Sequence, residues 1–162
     1  MKKILVSRCL LNEKVRFNGK IIYLEIPLIR LWSERGIIVP FCPEVDAGLS
    51  IPRSPCEIYG GDGKDVLANK AKVLDKEGKD LTDIFVKGAM MADEIVKEHG
   101  VIAAVLKNGS PSCGSSYIYD GTFNDRKIRG KGVTATLLEQ NKIKIFNENE
   151  TFYAQKLLMA SR

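Results

Sequence analysis

A chain of 162 residues, 44% hydrophobic and 28% charged, is long enough for one domain with a real core and short for two. Its net charge of +5 is scattered along the sequence, which points to a solvated lysine-rich surface and away from a dedicated nucleic-acid-binding tract. No apolar run approaches the length of a membrane span. The basic start "MKKILVSRC" carries too short an apolar segment for a signal peptide, so a cytoplasmic location is expected.

The first element is the β-branched run "KILVS" at 3–7, of strand length. "IPLIRLWSERG" at 26–36 reads as a helix with Leu28, Leu31 and Trp32 on one face. Pro27 stands at its start and Gly36 just past its end. "GIIVPF" at 36–41 is a second strand. From 44 to 80 the chain is rich in Gly, Pro and charge, and a long loop with one small strand at "AKVLD" is expected. A loop of that length is unusual unless it is functional. Within it, "GGDGKD" lacks the spacing of a phosphate loop and the Ser or Thr after its GK.

Residues 80–100 give a longer helix with Leu81, Ile84, Phe85, Met91, Ala92 and Ile95 on one stripe. Asp80 can cap its start and Gly100 its end. Gly88 interrupts this helix at a cost of about 1 kcal/mol against alanine. "VIAAVL" at 101–106 is a third strand, "GVTATLLEQN" a helix closed by Asn141, and "IKIF" at 143–146 a fourth strand. Alternating strands and helices imply an α/β fold, a doubly wound, mainly parallel sheet with helices on both faces. It forms a single domain over 1–147, and residues 148–162 form a terminal helix or tail.

Against this outline the four cysteines become informative. In a reducing compartment Cys9, Cys42, Cys56 and Cys113 are metal ligands or reactive groups sooner than disulfides, and no CxxC pair announces a zinc ribbon. Cys9, Cys42 and Cys113 each follow one of the first three strands, and ligands of open parallel sheets bind at that carboxyl edge. Three thiolates there suit a zinc site with an open position, or an iron–sulfur cluster with one exchangeable iron. Three unrelated buried thiols remain the plain alternative. Cys113 lies in "NGSPSCGSS" at 108–116, where small residues let backbone N–H groups approach a sulfur.

Four strings, "RCLLNEKVRFNGK", "FCPEVDAGLSIPRSPCEIYGG", "LKNGSPSCGSSYIYDGTF" and "GKGVTATLLEQNKIKIF", resemble in order a family long catalogued as a domain of unknown function. Some of its members are thiouracil desulfidases. The resemblance covers nearly the whole chain and implies a Rossmann-like domain with a 4Fe–4S cluster on Cys9, Cys42 and Cys113, one iron not ligated by protein. The implied activity is non-redox desulfuration of a thiolated pyrimidine or similar thiocarbonyl compound, water replacing sulfur bound at the open iron. Glu44 of "CPE" and the first serine of "SPSC", Ser110, are the implied acid–base and orienting groups. Two positions depart from the family pattern. Cys56 stands where a small non-ligating residue is expected, and as a fourth ligand it would leave no iron open. Asn18 replaces an aspartate and can fill the same turn.

Arg53 and Arg16 either hold a polar group of a substrate or brace the loops around them. Asp120 reads as a turn residue, and His99, the lone histidine, ends a helix with no sign of metal binding. Two other functions compete with the desulfidase reading: a redox or electron-transfer iron–sulfur protein, and a cluster-free cysteine enzyme or binding module with Cys113 as nucleophile. The expected partner is a small molecule, a thiolated base or nucleoside. Thiolated RNA ranks below it because the chain lacks an RNA-binding motif.

Overall fold

The computed structural model describes residues 1–161. Strand β1 (Lys3–Ser7) runs into a 3-10 turn (Arg8–Leu11), followed by α1 (Pro27–Glu34), β2 (Ile38–Phe41) and the one-turn helix α2 (Pro43–Asp46). Then come β3 (Cys56–Tyr59), α3 (Gly63–Leu67), β4 (Lys72–Asp75), α4 (Thr82–Glu98) and β5 (Val101–Val105). The chain closes with β6 (Tyr117–Tyr119), β7 (Lys127–Arg129), α5 (Val133–Gln140), β8 (Lys144–Phe146) and α6 (Thr151–Ala160).

Four strands form one parallel sheet in the order β2-β1-β5-β8. Side chains alternate across a strand, and β1 shows what this requires of a sheet covered on both sides. Leu5 faces α4 and α5 with Val39, Ala92, Ala104 and Leu138. Ile4 and Val6 face α1 and α6 with Trp32, Ala103, Ala154 and Leu158. All three β1 residues are fully buried, so the strand reads as a continuous apolar run. Trp32, also fully buried, donates from Nε1 to Gln155 Oε1 at 2.7 Å and ties α1 to α6. The terminal helix therefore belongs to the sheet's second cover.

The stretch 44–80 differs from the expected loop. It holds α2, α3 and an antiparallel pair, β3 with β4, in which Cys56 faces Asp75 and Tyr59 faces Lys72. Ile58, Val66 and Val73 from this stretch bury fully with Phe85, Ala89, Ile118 and Val133 in a third core. "GGDGKD" is the start of α3: Asp62 accepts from the N–H groups of Lys64 and Asp65, and Asp65 returns a bond to Asp62 N. A second small hairpin pairs β6 with β7.

The buried face of α4 is also rotated from the expected stripe. Phe85, Ala89, Ala92 and Val96 are buried, whereas Ile84, Met91 and Ile95 pack only partly. Small residues win this face because α4 runs tight against α2. A Cβ on Gly88 would stand 2.2 Å from the Pro43 carbonyl oxygen. Gly100 stands at φ +63° just past the helix as expected, whereas the N-cap position falls to Leu81, and Asp80, one residue earlier, accepts from Thr82 N in a turn. No helix among the described residues is long and apolar enough to cross a membrane.

Gly88→Ala should separate these two effects. Helix propensity alone would stabilise the variant by about 1 kcal/mol, but the clash is expected to destabilise it by about 1–3 kcal/mol. A lowered denaturation midpoint in urea is the expected result.

Candidate active site

Because β2, β1 and β5 are adjacent and parallel, the chain leaves all three at one edge. The 3-10 turn after β1, α2 after β2 and the loop after β5 surround a cavity of about 370 Å³. Cys9, Cys42 and Cys113 all line it, together with Glu44 and Ser110. Among the described residues no group of three His, Cys, Asp or Glu forms a compact single-ion site.

The turns that carry the thiols are held locally. Cys42 stands at the N-cap position of α2. Ser7, buried at the end of β1, accepts from Lys107 N at 3.1 Å and ties that strand to the loop after β5. Burial, with Cys42 beside it, pushes the Cys9 thiol up to about 12. Burial likewise raises Cys42 and Cys113, and for Cys113 the neighbouring Cys42 and Cys9 add to it. The three thiols thus feel one another. Burial also pushes Cys56 up to about 12, but the charges acting on it most are Glu44, Asp75, Arg53 and Glu77. Cys56 lines the same cavity from its other side. Thiols held protonated in this way suit a bound cation that displaces the protons and supplies the missing charge.

The loops are locked to one another by side chains around the cavity. Asp46 accepts from Cys42 N through Oδ2 at 2.8 Å and from Arg8 Nη1 through Oδ1 at 2.9 Å, joining the Cys42 and Cys9 segments. Asn108 Oδ1 accepts from the N–H groups of Ser115, Ser116 and Tyr117, folding the Cys113 loop. That loop in turn caps α5, whose first N–H groups, Val133 to Ala135, donate to the carbonyls of Pro111 and Ser112. Gly132 permits the approach, since a Cβ there would lie 2.5 Å from the Ser112 carbonyl carbon.

The family model described as 2-thiouracil desulfurase matches residues 4–150. This chain belongs to the 2-thiouracil desulfurase family. It is similar to the uncharacterized protein YbbK of Bacillus subtilis (strain 168), with 44% identity over 147 residues, 91% of this chain and 96% of that protein. It is also similar to a solved 4Fe-4S-dependent thiouracil desulfidase, TudS, with 34% identity, a TM-score of 0.89 and 99% of each chain covered. The family match spans every cavity residue named above.

In this member of the family Glu44 joins two sides of the cavity, the Arg53 segment and the Cys113 loop. Its Oε1 pairs with Arg53 Nη2 at 3.2 Å, and Oε2 accepts from Ser112 Oγ at 2.9 Å and Ser110 Oγ at 3.3 Å. Ser110 Oγ also accepts from the N–H groups of Ser112 and Cys113, so it organises the Cys113 turn as much as it faces the cavity. Sequence reasoning missed Ser112, fully buried, because "SPSC" offers two serines and only packing selects the one that meets Glu44 most closely. Arg8 and Asp46 were missed as well, although Asp46 sits four residues after Cys42, one helical turn away.

Arg53 proves to be a brace. Besides Glu44 it donates to the carbonyls of Ser50 and Val15, and its side chain is only 8% exposed. Asn18 accepts from Lys20 N and makes a turn that needs no charge. Asp120 accepts from Thr122 N and Oγ1, bonds that hold its carboxyl below the usual range, and it does not line the cavity. His99 ends α4, outside the cavity lining.

The Glu44–Arg53 pair yields a stability test. Arg53→Met leaves a buried carboxylate unpaired and should cost about 3–5 kcal/mol in urea unfolding. Adding Glu44→Gln should recover part of that loss, so that the double variant is more stable than Arg53→Met alone.

Proposed function

We propose that this protein is a 4Fe–4S-dependent desulfidase that converts the thiocarbonyl of thiouracil, or of a similar thiolated pyrimidine, to a carbonyl without net redox change. One observation carries the reading: Cys9, Cys42 and Cys113 converge on a single cavity beside the carboxylate of Glu44. Family membership supports desulfuration, and the TudS structure supports the cluster type. The donor set fits such a group, with three thiols on one cavity and, at Gly114 and Gly132 around the Cys113 loop, glycines where a Cβ would clash. Cys9, Cys42 and Cys113 would hold the cluster. Once bound, it supplies an iron without a protein ligand, a Lewis acid for sulfur.

The chain's own groups account for the rest. The overall change exchanges sulfur for the oxygen of one water, and both protons of that water leave with the sulfur as hydrogen sulfide. In this reading Glu44 takes a proton from the water that attacks carbon and returns it to the departing sulfur. The Arg53 guanidinium and the Ser112 and Ser110 hydroxyls all donate to it and fix its orientation at the cavity. Tyr117 and Tyr119, on the same face of β6 with their rings edge-to-face at 90°, give the cavity an aromatic wall against which a pyrimidine ring can pack. All four cysteines are free, as a reducing cytoplasm would keep them.

The competing readings fare less well. Thiols raised to about 12 or beyond the ordinary range make poor free nucleophiles, against a cluster-free thiol enzyme. A fully ligated electron-transfer cluster would need Cys56, whose Sγ already donates to the Ser54 carbonyl at 3.6 Å.

Protein made and reconstituted without oxygen should hold about four iron and four sulfide per chain and should turn 2-thiouracil into uracil and hydrogen sulfide. Cys9→Ala, Cys42→Ala and Cys113→Ala should each lose iron, and Cys56→Ala should keep it. Full iron in any of the first three would sink the ligand assignment. Glu44→Gln should keep its iron and lose about 10²- to 10⁴-fold in rate. Wild-type turnover in the variant would remove Glu44 from the proton path.

A further inference from the structure

Nearly every charge on the cavity wall is already engaged within the fold. Arg8 pairs with Glu13 and Asp46, Arg53 with Glu44, and Lys107 with Glu148 at 2.8 Å. Glu57 accepts from the N–H groups of Gly121 and Phe123. Two charged lining residues remain, Arg16 and Asp125, and neither side chain has a hydrogen bond or ion pair among the described residues.

Both stand on backbone that the fold holds firmly. Arg53 grips the chain on either side of Arg16, donating from Nη2 to Val15 O at 3.1 Å and from its own N–H to Phe17 O at 2.7 Å. Gly19 N closes the turn on the Arg16 carbonyl at 2.9 Å. Asp125 lies at the tip of the β6–β7 hairpin, which Glu57 pins down through Gly121 and Phe123. Phe123 and Asp125 adopt φ +57° and +55°, left-handed conformations that side chains other than glycine rarely take. Such backbone persists where its surroundings enforce it, commonly at a binding site. Gly121 sits so close to β3 that a Cβ would come within 2.6 Å of Ile58 O.

An unengaged donor fork and an unengaged carboxylate on one small cavity match a planar ring that carries both acceptors and donors. Beyond its reacting thiocarbonyl, a thiouracil ring offers one carbonyl oxygen and two N–H groups. We propose that Arg16 and Asp125 read these non-reacting groups, the Arg16 guanidinium donating to the ring carbonyl and the Asp125 carboxylate accepting from a ring N–H. The assignment rests on the desulfidase reading and names the part of the substrate that selects it. Charged partners of this kind discriminate strongly, because a substrate lacking the matching group leaves them unpaired. They would set binding and orientation, while Glu44 keeps the proton transfer.

The test uses iron-reconstituted protein and separates this idea from the one beneath it. Arg16→Met and Asp125→Ala should keep wild-type iron content and raise KM for 2-thiouracil about 10- to 100-fold, with kcat changed by no more than about threefold. Uracil, which has no sulfur to react, should bind each variant more weakly in calorimetry by a similar factor. Wild-type protein should discriminate against 1-methyl- or 3-methyl-2-thiouracil, one of which lacks the N–H that Asp125 reads, and Asp125→Ala should lose that discrimination. Pyrimidine-2-thione, without the second carbonyl, should likewise cost the wild type and leave Arg16→Met indifferent. Unchanged KM and unchanged selectivity in both variants, with normal wild-type turnover, would overturn this assignment alone. Wild-type protein carrying full iron yet leaving 2-thiouracil intact would overturn it together with the desulfidase reading.

Discussion

The Glu44–Arg53 pair is the constraint on which the cavity depends. Its two side chains are 15% and 8% exposed, and a carboxylate that far from water is tolerated only with its partner and further hydrogen bonds in place. Those partners come from three parts of the chain: α2, the segment before β3 and the loop after β5. Arg53 extends the tie to a fourth, the stretch around Val15 and Phe17. None of these segments can settle alone, because each supplies a group the others need. Order in the loops and geometry at the thiols are therefore one property of the fold.

Below the loops, sheet order does the gathering. With β1 between β2 and β5, residues far apart in sequence leave neighbouring strands at the same edge. Glycines then bring the second layer close. Gly88 lets α4 abut the Pro43 carbonyl, and Gly132 seats the start of α5 on the Cys113 loop. The carbonyls of that loop satisfy the N–H groups at the head of α5, which is why "GKGVTAT" and "SPSCG" act as one structural unit. Helix and loop share a hydrogen-bond requirement that neither meets alone.

The large elements were legible in the sequence because they are long enough to show a period or are uniformly apolar. Strands β1, β2, β5 and β8 and helices α1, α4 and α5 fall where patterning puts them. The strand-edge positions of Cys9, Cys42 and Cys113 followed from the same outline. What escaped is short. Strand β4 was visible as "AKVLD", but strands β3, β6 and β7 span three or four residues, too few for alternation to stand out, and β7 is exposed throughout. The stripe on α4 was misjudged because the helix buries its small residues, a choice made by the approach of α2 and not by hydropathy. Ser112 and the bracing role of Arg53 depend on partners distant in sequence, and local pattern has no access to those.

The cavity has a floor and a wall of different origin. Its floor is the sheet edge, where Ser7, Asp46 and Arg8 steady the thiol-bearing turns. Much of its wall is the β6–β7 hairpin, which brings Tyr117, Tyr119 and Asp125 and is fastened at its tip by Glu57. The hairpin takes no part in steadying Cys9 or Cys42, so its exposed positions, apart from buried Ile118 and tightly seated Gly121, can change while those two turns stay intact. A lineage built this way can keep one chemistry and exchange the molecules it serves by rewriting about a dozen residues in a single surface excursion.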